Sequence, residues 1–264
     1  MTASALSPST VVPGSFRDPR GHVFNASDRI FRSITQAAFD DYRFVQDSGL
    51  LGSLIEKRWL VDTWDVERSA LQMDDPAGVA LVEHAKLPFV SHPYEWSFAQ
   101  LRAAALHHLD LHLHVLDKGA TLSDASAYNI QFIGGKPVFI DLLSLRKYQQ
   151  GEFWLGHKQF CEQFLNPLLL RAWFGIPHND WYRGALEGIA TEHMAAITPW
   201  TKRFSVKVLS HIVLPAKFQQ RSGSHDPKEL SRLRQRTLPL RGFRSLLLQL
   251  RSWIAALKPA NAAP

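Results

Sequence analysis

The best candidates for a catalytic or metal-binding site in this sequence are Asp124, Asn129 and Asp141. Asp124 and Asn129 lie five positions apart in a loop, and Asp141 ends a short apolar run. An amide oxygen and a carboxylate are hard oxygen ligands, which Mg²⁺ takes when it also keeps water and substrate phosphates. Asp124 would then be free to act as a base. The alternative is that all three are structural, since Asp and Asn favour turns and strand ends.

A β-hairpin is predicted to bring Asn129 and Asp141 together. Two apolar runs, residues 130–133 and 137–140, flank the Gly-Gly-Lys sequence of residues 134–136, and this arrangement is a hairpin signal. With a loop of three residues, Asn129 faces Asp141 and both side chains lie on one face, about 5 Å apart. A two-residue loop would shift this register by one residue.

The elements before this loop are predicted from hydrophobic periodicity. Apolar residues recur at steps of three and four, so residues 97–118 are predicted to form an amphipathic helix with Ser97 as its N-cap and Gly119 as its stop. This helix would lead into the loop of Asp124. The chain before it is predicted to contain a hairpin of residues 21–24 and 29–34, a helix at 36–55, strands at 79–82 and 87–90, and a connector at 91–96 in which a proline disfavours helix.

The order of these residues resembles the protein-kinase-like superfamily. In that superfamily a catalytic-loop Asp accepts the substrate hydroxyl proton, an Asn five residues on binds metal, and a later Asp binds metal at a strand end. On that resemblance Asp124 is the catalytic residue, and Asn129 and Asp141 hold Mg²⁺ and the phosphates of ATP. The implied activity is transfer of a phosphoryl group from ATP-Mg to a hydroxyl of an unknown acceptor.

The resemblance implies an α+β fold with the bilobal architecture of protein kinases. Its N-lobe is reduced, its C-lobe is helical, and a basic helix follows the C-lobe. The expected organisation is a flexible N-terminus at 1–15, a reduced N-lobe at 16–90, a C-lobe with a catalytic-type loop at 91–218, and a linker with a basic amphipathic helix at 219–264.

Two further residues are candidates for nucleotide binding. The first 56 residues contain no lysine, so Arg32 is the nearest substitute for the usual phosphate-binding lysine, and Asp40 or Asp41 could pair with it. Glu95 lies in the connector that corresponds to the interlobe hinge. The chain departs from the superfamily in lacking a G-x-G-x-x-G run, in having Leu-Ser-Asp for His-Arg-Asp, and in having Asp-Leu-Leu for Asp-Phe-Gly. An exposed strand arginine is the alternative interpretation of Arg32.

Parts of the sequence also resemble a narrower family. Segments 88–97, 123–132, 137–144 and 160–168 are similar to the amino-terminal region of bacterial nodulation-type proteins, which are usually described as S-adenosylmethionine-dependent methyltransferases. The chain has no acidic Gly-x-Gly strand-turn motif for S-adenosylmethionine, so we expect that activity to belong to a domain outside it. The alternative function is a non-catalytic kinase-like module that binds a nucleotide or a partner and serves a methyltransferase on another chain.

Composition narrows the class of protein. The chain has 264 residues, of which 45% are hydrophobic and 8 are tryptophan, so it can bury a large core. The single cysteine, Cys161, excludes an internal disulfide and fits a reducing compartment. The first residues lack the pattern of a signal peptide, and no apolar stretch reaches the length that crosses a bilayer. We therefore expect a cytoplasmic protein.

Most of the excess of positive over negative charge lies near the end of the chain. The net charge is +6, and residues 240–257 are predicted to form a helix with Arg241, Arg244 and Arg251 off its apolar face, after a flexible connector at 219–227. Such a helix could make a peripheral contact with an anionic membrane or dock on a partner protein. The simpler alternative is a linker helix packed on its own domain. No recognised module supports nucleic-acid binding, so no nucleic acid is expected.

Histidines on the long predicted helix offer a second arrangement to weigh. His108 and His112 have the i, i+4 spacing of a zinc-binding pair. The Glu of an H-E-x-x-H motif is missing, because Leu109 follows His108. A role on the polar face or between helices is the simpler prediction.

Overall fold

A five-stranded antiparallel sheet forms the amino-terminal part of the protein. The computed structural model describes residues 10–12, 15, 18–70, 75, 77–215 and 238–260. The strands of the sheet are β1 (Thr10–Val11), β2 (Val23–Ala26), β3 (Arg29–Thr35), β4 (Thr63–Val66) and β5 (Gly78–His84). They lie in the order β1-β2-β3-β5-β4. Together with the helices that follow, they give the mixed α+β fold that the sequence predicts.

The first strands confirm a predicted hairpin and correct its bounds. β2 and β3 form the predicted hairpin, but β2 lies two residues later than the predicted strand 21–24. Only Ser27 and Asp28 therefore lie between the strands, and both have positive φ. Such a two-residue turn matches the twist of paired strands. β1 lies in the segment 1–15, where Thr10 and Val11 pair with Asn25 and Phe24 of β2. The flexibility expected of that segment stays a prediction. Residues 1–9 and the predicted connector 219–227 lie outside the described residues.

Two helices follow β3 where the sequence predicts one. α1 (Gln36–Asp47) and α2 (Leu50–Glu56) replace the single helix expected at 36–55. Gly49 has a φ of +70°, a left-handed conformation that ends α1, and α2 begins directly after it. Both helices bury their apolar faces in the main hydrophobic core.

The segment between β5 and the long helix is not a strand. Residues 87–90 are predicted to be one, but the side chain of Phe89 is mostly exposed. The backbone N–H of Ser91, which follows this segment, donates to the side-chain oxygen of Gln131 rather than to a backbone carbonyl of a neighbouring strand. The connector predicted at 91–96 is confirmed, since it contains no α-helix. Pro93 begins a three-residue 3₁₀ turn, a position where its missing N–H has no partner to lose.

The long helix is confirmed. The prediction of residues 97–118 corresponds to α3 (Phe98–Leu116), and Ser97 caps it in a capping box with Gln100. Gly119 ends the turn that follows with a φ of +77°. α3 therefore delivers the chain to the loop of Asp124, as the periodicity indicates.

The remainder of the described chain is mainly helical and contains two small antiparallel sheets. These pair β6 (Ala120–Leu122) with β9 (Leu145–Lys147), and β7 (Ile130–Ile133) with β8 (Lys136–Phe139). Short 3₁₀ turns occur at Arg68–Ala70, Pro93–Glu95, Ala127–Asn129 and Leu142–Ser144. Two π-helical segments are Cys161–Leu165 and Leu209–Val213. The α-helices are α4 (His157–Phe160), α5 (Asn166–Phe174), α6 (Asn179–Gly184), α7 (Thr191–Ile197), α8 (Trp200–Arg203), α9 (Val206–Val208) and α10 (Leu240–Ala256).

α10 packs against α3. Its apolar face is buried in the main core, and Arg244 and Arg251 form ion pairs with Asp117 and Asp110 of α3. The prediction of a helix packed on its own domain is therefore confirmed. Contact of residues 240–257 with a membrane or a partner stays a prediction. Because the apolar face of α10 is buried, such a contact would be made by the polar face. Within the described part of the chain, no helix has the length and apolar character needed to pass through a bilayer.

The histidines of α3 pack between elements, as predicted. His108 and His112 are buried, with their ring centroids 6.1 Å apart in an edge-to-face arrangement. His112 Nε2 lies 2.8 Å from Thr121 Oγ1 of β6. Burial lowers the pKa of His108 to about 3 and the pKa of His112 well below its ordinary value. Both rings are therefore neutral at neutral pH and serve as core residues.

Replacing Gly21 by alanine tests how closely the backbone packs beside β3. A Cβ at Gly21 would lie 1.9 Å from the carbonyl oxygen of Ser33, so Gly21→Ala should lower the free energy of unfolding by about 1–3 kcal/mol, as overpacking does. Gly52→Ala is the matched control, because nothing lies within 4 Å of its added Cβ on the exposed side of α2. It should raise stability by about 0.5–1 kcal/mol. Urea unfolding measures both, and equal effects would contradict the packing.

Candidate functional site

The loop between β6 and β7 carries Asp124 and is fixed by side chains from the following helical segment. The N–H of Ala125 donates to Gln159 Oε1 at 2.8 Å, and the N–H of Ala127 donates to Gln163 Oε1 at 2.8 Å. Gln163 is buried, so its amide is held by the surrounding core. These two contacts give the loop a defined path, and no local sequence pattern predicts them.

The hairpin of β7 and β8 has a shorter loop than the three-residue loop from which the pairing of Asn129 with Asp141 is predicted. Only Gly134 and Gly135 lie between the strands, both with positive φ. The register is therefore shifted by one residue, and the backbone oxygen of Asn129 accepts from the N–H of Ile140 at 2.9 Å. The predicted backbone pairing is wrong because two glycines suffice for a tight turn.

The side chains of Asp124, Asn129 and Asp141 nevertheless meet. Asn129 Nδ2 donates to Asp124 Oδ1 at 2.8 Å and to Asp141 Oδ2 at 3.3 Å. Burial, and then the nearby charge of Asp141, raise the pKa of Asp124 to about 6, although the hydrogen bond from Asn129 opposes them. One amide thus bridges two carboxylates that repel each other. A bound cation would relieve this repulsion.

Arg32 of β3 binds the same cluster. Its Nη1 lies 2.5 Å from Asp141 Oδ1, and its Nη2 lies 2.6 Å from Asp18 Oδ2. The residue is buried, so the alternative of an exposed strand arginine is wrong. The predicted pairing of Arg32 with Asp40 or Asp41 is also wrong, because the carboxylate of Asp41 is engaged by Arg20 at 2.8 Å.

A cavity of about 730 Å³ opens beside this cluster. Arg32, Asn129 and Asp141 line it, together with Asp18 and His84. The remaining lining is largely apolar and includes Val12, Val23, Ile30, Val61, Leu87, Val90 and Ile140. The cavity therefore has a charged end and apolar walls.

His84 lies in the wall of this cavity, with one ring nitrogen enclosed by the protein. Its Nδ1 lies 2.8 Å from Thr63 Oγ1, whereas its buried Nε2 has no hydrogen-bond partner among the described residues. Burial, and then the charge of Arg32, lower the pKa of His84 to about 4. His84 is therefore neutral at neutral pH. Sequence analysis missed His84 and Asp18, since neither stands in a recognisable motif.

Glu95 does not line the cavity described above. Its Oε2 accepts a hydrogen bond from the N–H of His92 at 2.7 Å, which caps the 3₁₀ turn of Pro93–Glu95. The connector instead presents Val90 and His92 to the cavity. The role of Glu95 in nucleotide binding stays a prediction, and in this arrangement its carboxylate folds back on its own turn.

The chain is similar to the nodulation protein NoeA of Rhizobium meliloti (strain 1021). The two are 46% identical over 258 residues, which is 98% of this chain and 54% of that protein. The chain thus spans about half the length of its relative. No protein-family model matches it. The comparison supports the predicted relationship to a nodulation-type family, and the relationship to the kinase-like superfamily stays a prediction.

Replacing Asp124 by asparagine tests the electrostatics of the cluster through stability. The folded-state pKa of Asp124, about 6, lies above its ordinary value of 3.8, so stability is lost as the pH rises from about 3.8 to about 6, and this loss stays constant at higher pH. Asp124→Asn removes that cost. In EDTA and without nucleotide, the variant should therefore be more stable than the wild type above pH 6, and the difference should shrink as the pH falls towards 4.

Urea unfolding at several pH values measures this difference. Asp180→Asn is the control, because its side chain is 90% exposed, and it should show no such pH-dependent gain. If Asp124→Asn were less stable than the wild type at pH 8, the proposed repulsion with Asp141 would be disproved.

Proposed function

We propose that this relative of a nodulation-type protein is a kinase-like phosphotransferase, which moves the γ-phosphoryl group of ATP to a hydroxyl of a still unidentified acceptor. In this proposal the five-stranded sheet with α1 is a reduced N-lobe, and the helical part from α3 onward is the C-lobe. The observation that carries it is the cluster of Asp124, Asn129 and Asp141 next to a buried arginine, at one end of a cavity with apolar walls.

The shape and chemistry of the cavity support a nucleotide as its ligand. Ligand sites of about 300–1,000 Å³ are lined mainly by apolar side chains with a few placed polar groups, and this cavity is about 730 Å³. Its apolar walls suit a planar base. Arg32 at the charged end suits phosphate.

The donor set at the charged end supports Mg²⁺. Asp141 and Asn129 would hold the ion, since a carboxylate and an amide oxygen with water and phosphates complete the hard-oxygen environment that Mg²⁺ prefers. When bound, the ion would neutralise charge on the nucleotide phosphates. The crowding of two carboxylates around one amide in the free protein is consistent with such a site.

The remaining residues have roles in orientation and proton transfer. Asp124 would accept the proton of the acceptor hydroxyl, and the raised pKa of this half-buried group suits a base that works near neutral pH. Arg32 would turn from Asp141 towards the phosphates. Because a guanidinium is bulkier than the ammonium of a lysine and donates in a fixed plane, the phosphates would sit differently from those in lysine-containing sites.

A second candidate function is a non-catalytic module. The ion pairs of Arg32 with both Asp18 and Asp141 favour it, because they occupy a carboxylate that metal binding requires. Such a module would bind a nucleotide or a partner protein without phosphoryl transfer. The resemblance to nodulation-type methyltransferases would make its partner a methyltransferase on another chain.

Calorimetric titration with ATP, with and without Mg²⁺, tests the nucleotide site. The wild type should bind ATP in a magnesium-dependent way. Asp141→Asn should lose that dependence because it removes a charged ligand, whereas Asp124→Asn should bind about as tightly as the wild type because its role lies in proton transfer. Gly52→Ala on the exposed side of α2 serves as the control for unspecific effects.

The outcomes separate the two candidate functions. Equal binding by Asp141→Asn and the wild type would contradict the role of Asp141. Magnesium-independent binding that survives both aspartate substitutions would favour a module that holds nucleotide without chemistry. The absence of any ATP binding would disprove the nucleotide site and direct attention to partner proteins.

A further inference from the structure

A second group of chemistry-bearing side chains lies in the carboxy-terminal helices. One ligand atom each from His157, Cys161 and His211 lie within 4.8 Å of one another. His157 Nε2 is 2.9 Å from His211 Nδ1 and 3.7 Å from Cys161 Sγ. In a tetrahedral Zn²⁺ site, bond lengths of about 2.0–2.3 Å place the nitrogen and sulfur ligand atoms roughly 3.3–3.6 Å apart. The three side chains therefore need only small adjustments to share an ion.

We propose that His157, Cys161 and His211 bind one Zn²⁺ ion through Nε2, Sγ and Nδ1. Two imidazoles and a thiolate are the mixed nitrogen and sulfur set that suits Zn²⁺ rather than Mg²⁺ or Ca²⁺. Three protein ligands leave the fourth position of a tetrahedral ion for water or another small ligand. This site is separate from the proposed nucleotide site and does not depend on it.

The environment of the cluster suits metal ligation. Cys161 and His211 are buried, while His157 is partly exposed and gives the ion a route from solvent. Burial lowers the pKa of His157 to about 4, and burial followed by the neighbouring His157 lowers the pKa of His211 to about 3. Both imidazoles are therefore neutral at neutral pH, and neutral imidazole is the form that binds metal.

The protons of the cluster can be accounted for on binding. In the 2.9 Å contact, one ring N–H donates to the nitrogen of the other ring. As the ion binds, that hydrogen would pass to the other nitrogen of its own ring, and the Cys161 thiol would release its proton to solvent. Burial raises the pKa of this thiol in the free protein, so without a metal the cysteine is a poor nucleophile.

The backbone around the ligands supports the same inference. Cys161 begins one π-helical segment, and His211 lies in the other. π-Turns are rare and frequently occur at functional sites, because they re-aim side chains within a helix. His157 stands four residues before Cys161, so both lie on one face of the same helical run. Cys161 and His211, which are 50 positions apart in sequence, thus each lie where the chain departs from a regular α-helix.

Two tryptophans pack on the imidazoles from outside the cluster. The ring of Trp154 lies 5.7 Å from that of His157, and the ring of Trp253 of α10 lies 6.2 Å from that of His211. These contacts restrict the rotation of both imidazoles and limit the access of water. A bound ion would therefore tie the helical run of α4 to the segment after α9, beneath α10.

Titration of the full chain, without an affinity tag and after EDTA treatment, with Co²⁺ tests the site. Co²⁺ is a spectroscopic substitute for Zn²⁺, and one equivalent should produce tetrahedral visible bands and a thiolate-to-cobalt band in the near ultraviolet. Only Cys161 can supply that band, because the chain has a single cysteine. Zn²⁺ should then displace Co²⁺ and raise the midpoint of thermal unfolding. Absence of the thiolate band in the wild type would overturn the proposal.

Variants locate the ligands. Cys161→Ser should abolish the thiolate band, and both Cys161→Ser and His211→Asn should weaken Co²⁺ binding by at least about tenfold, since even loss of an outer hydrogen bond to a ligand commonly costs that much. His193→Asn is the control, because His193 is exposed on α7, and it should bind like the wild type. Equal affinity of all three variants would overturn the proposal. If the ligand variants fail to fold, the wild-type band and the Zn²⁺-induced rise in unfolding midpoint still decide it.

Discussion

The ion pair between Arg32 and Asp141 is the interaction on which the arrangement of the candidate site depends. It joins β3 of the sheet to the turn after β8, residues that are 109 positions apart in sequence. A buried guanidinium without a partner would cost several kcal/mol, so the pair restricts how the sheet can sit over the loop of Asp124. Asp18 neutralises the other edge of the same guanidinium. The cavity lies where these elements meet, and its charged end is this network.

Part of the candidate site can be predicted because its signals are local. The spacing of Asp124 and Asn129 and the glycine pair before β8 are enough to predict that three polar side chains meet. The register of β7 against β8 could not be predicted, because the same sequence is compatible with a loop of two residues or of three. Asp18 and His84 line the cavity because distant parts of the chain pack together, and Glu95 does not line it because its carboxylate caps its own turn. The spacing of residues in the sequence predicts neither result.

The fold shows the same division between local and distant causes. α3 and α10 were predictable because buried apolar residues recur along each helix, and in α3 the cap Ser97 and Gly119 also mark the ends. Residues 87–90 have the composition of a strand but find no pairing partner, and strand pairing depends on distant parts of the chain. The single helix predicted at 36–55 is interrupted at Gly49. The spacing of apolar residues continues across this position, but the backbone of Gly49 adopts a left-handed conformation. The proposed zinc site shows the same division. The four-residue spacing of His157 and Cys161 is local, whereas His211 lies far away in the sequence.

The number of neutral histidines inside this protein makes the fold sensitive to acid. His84, His108 and His211 are all buried, and burial lowers the pKa of each to about 3 or 4. The unfolded chain takes up protons at these rings near their ordinary value of 6.5, whereas the folded chain does so only at lower pH. Stability is therefore lost as the pH falls below about 6.5. Mild acidification would therefore favour the unfolded state. The buried histidines thus set a lower limit to the pH range in which the protein stays folded.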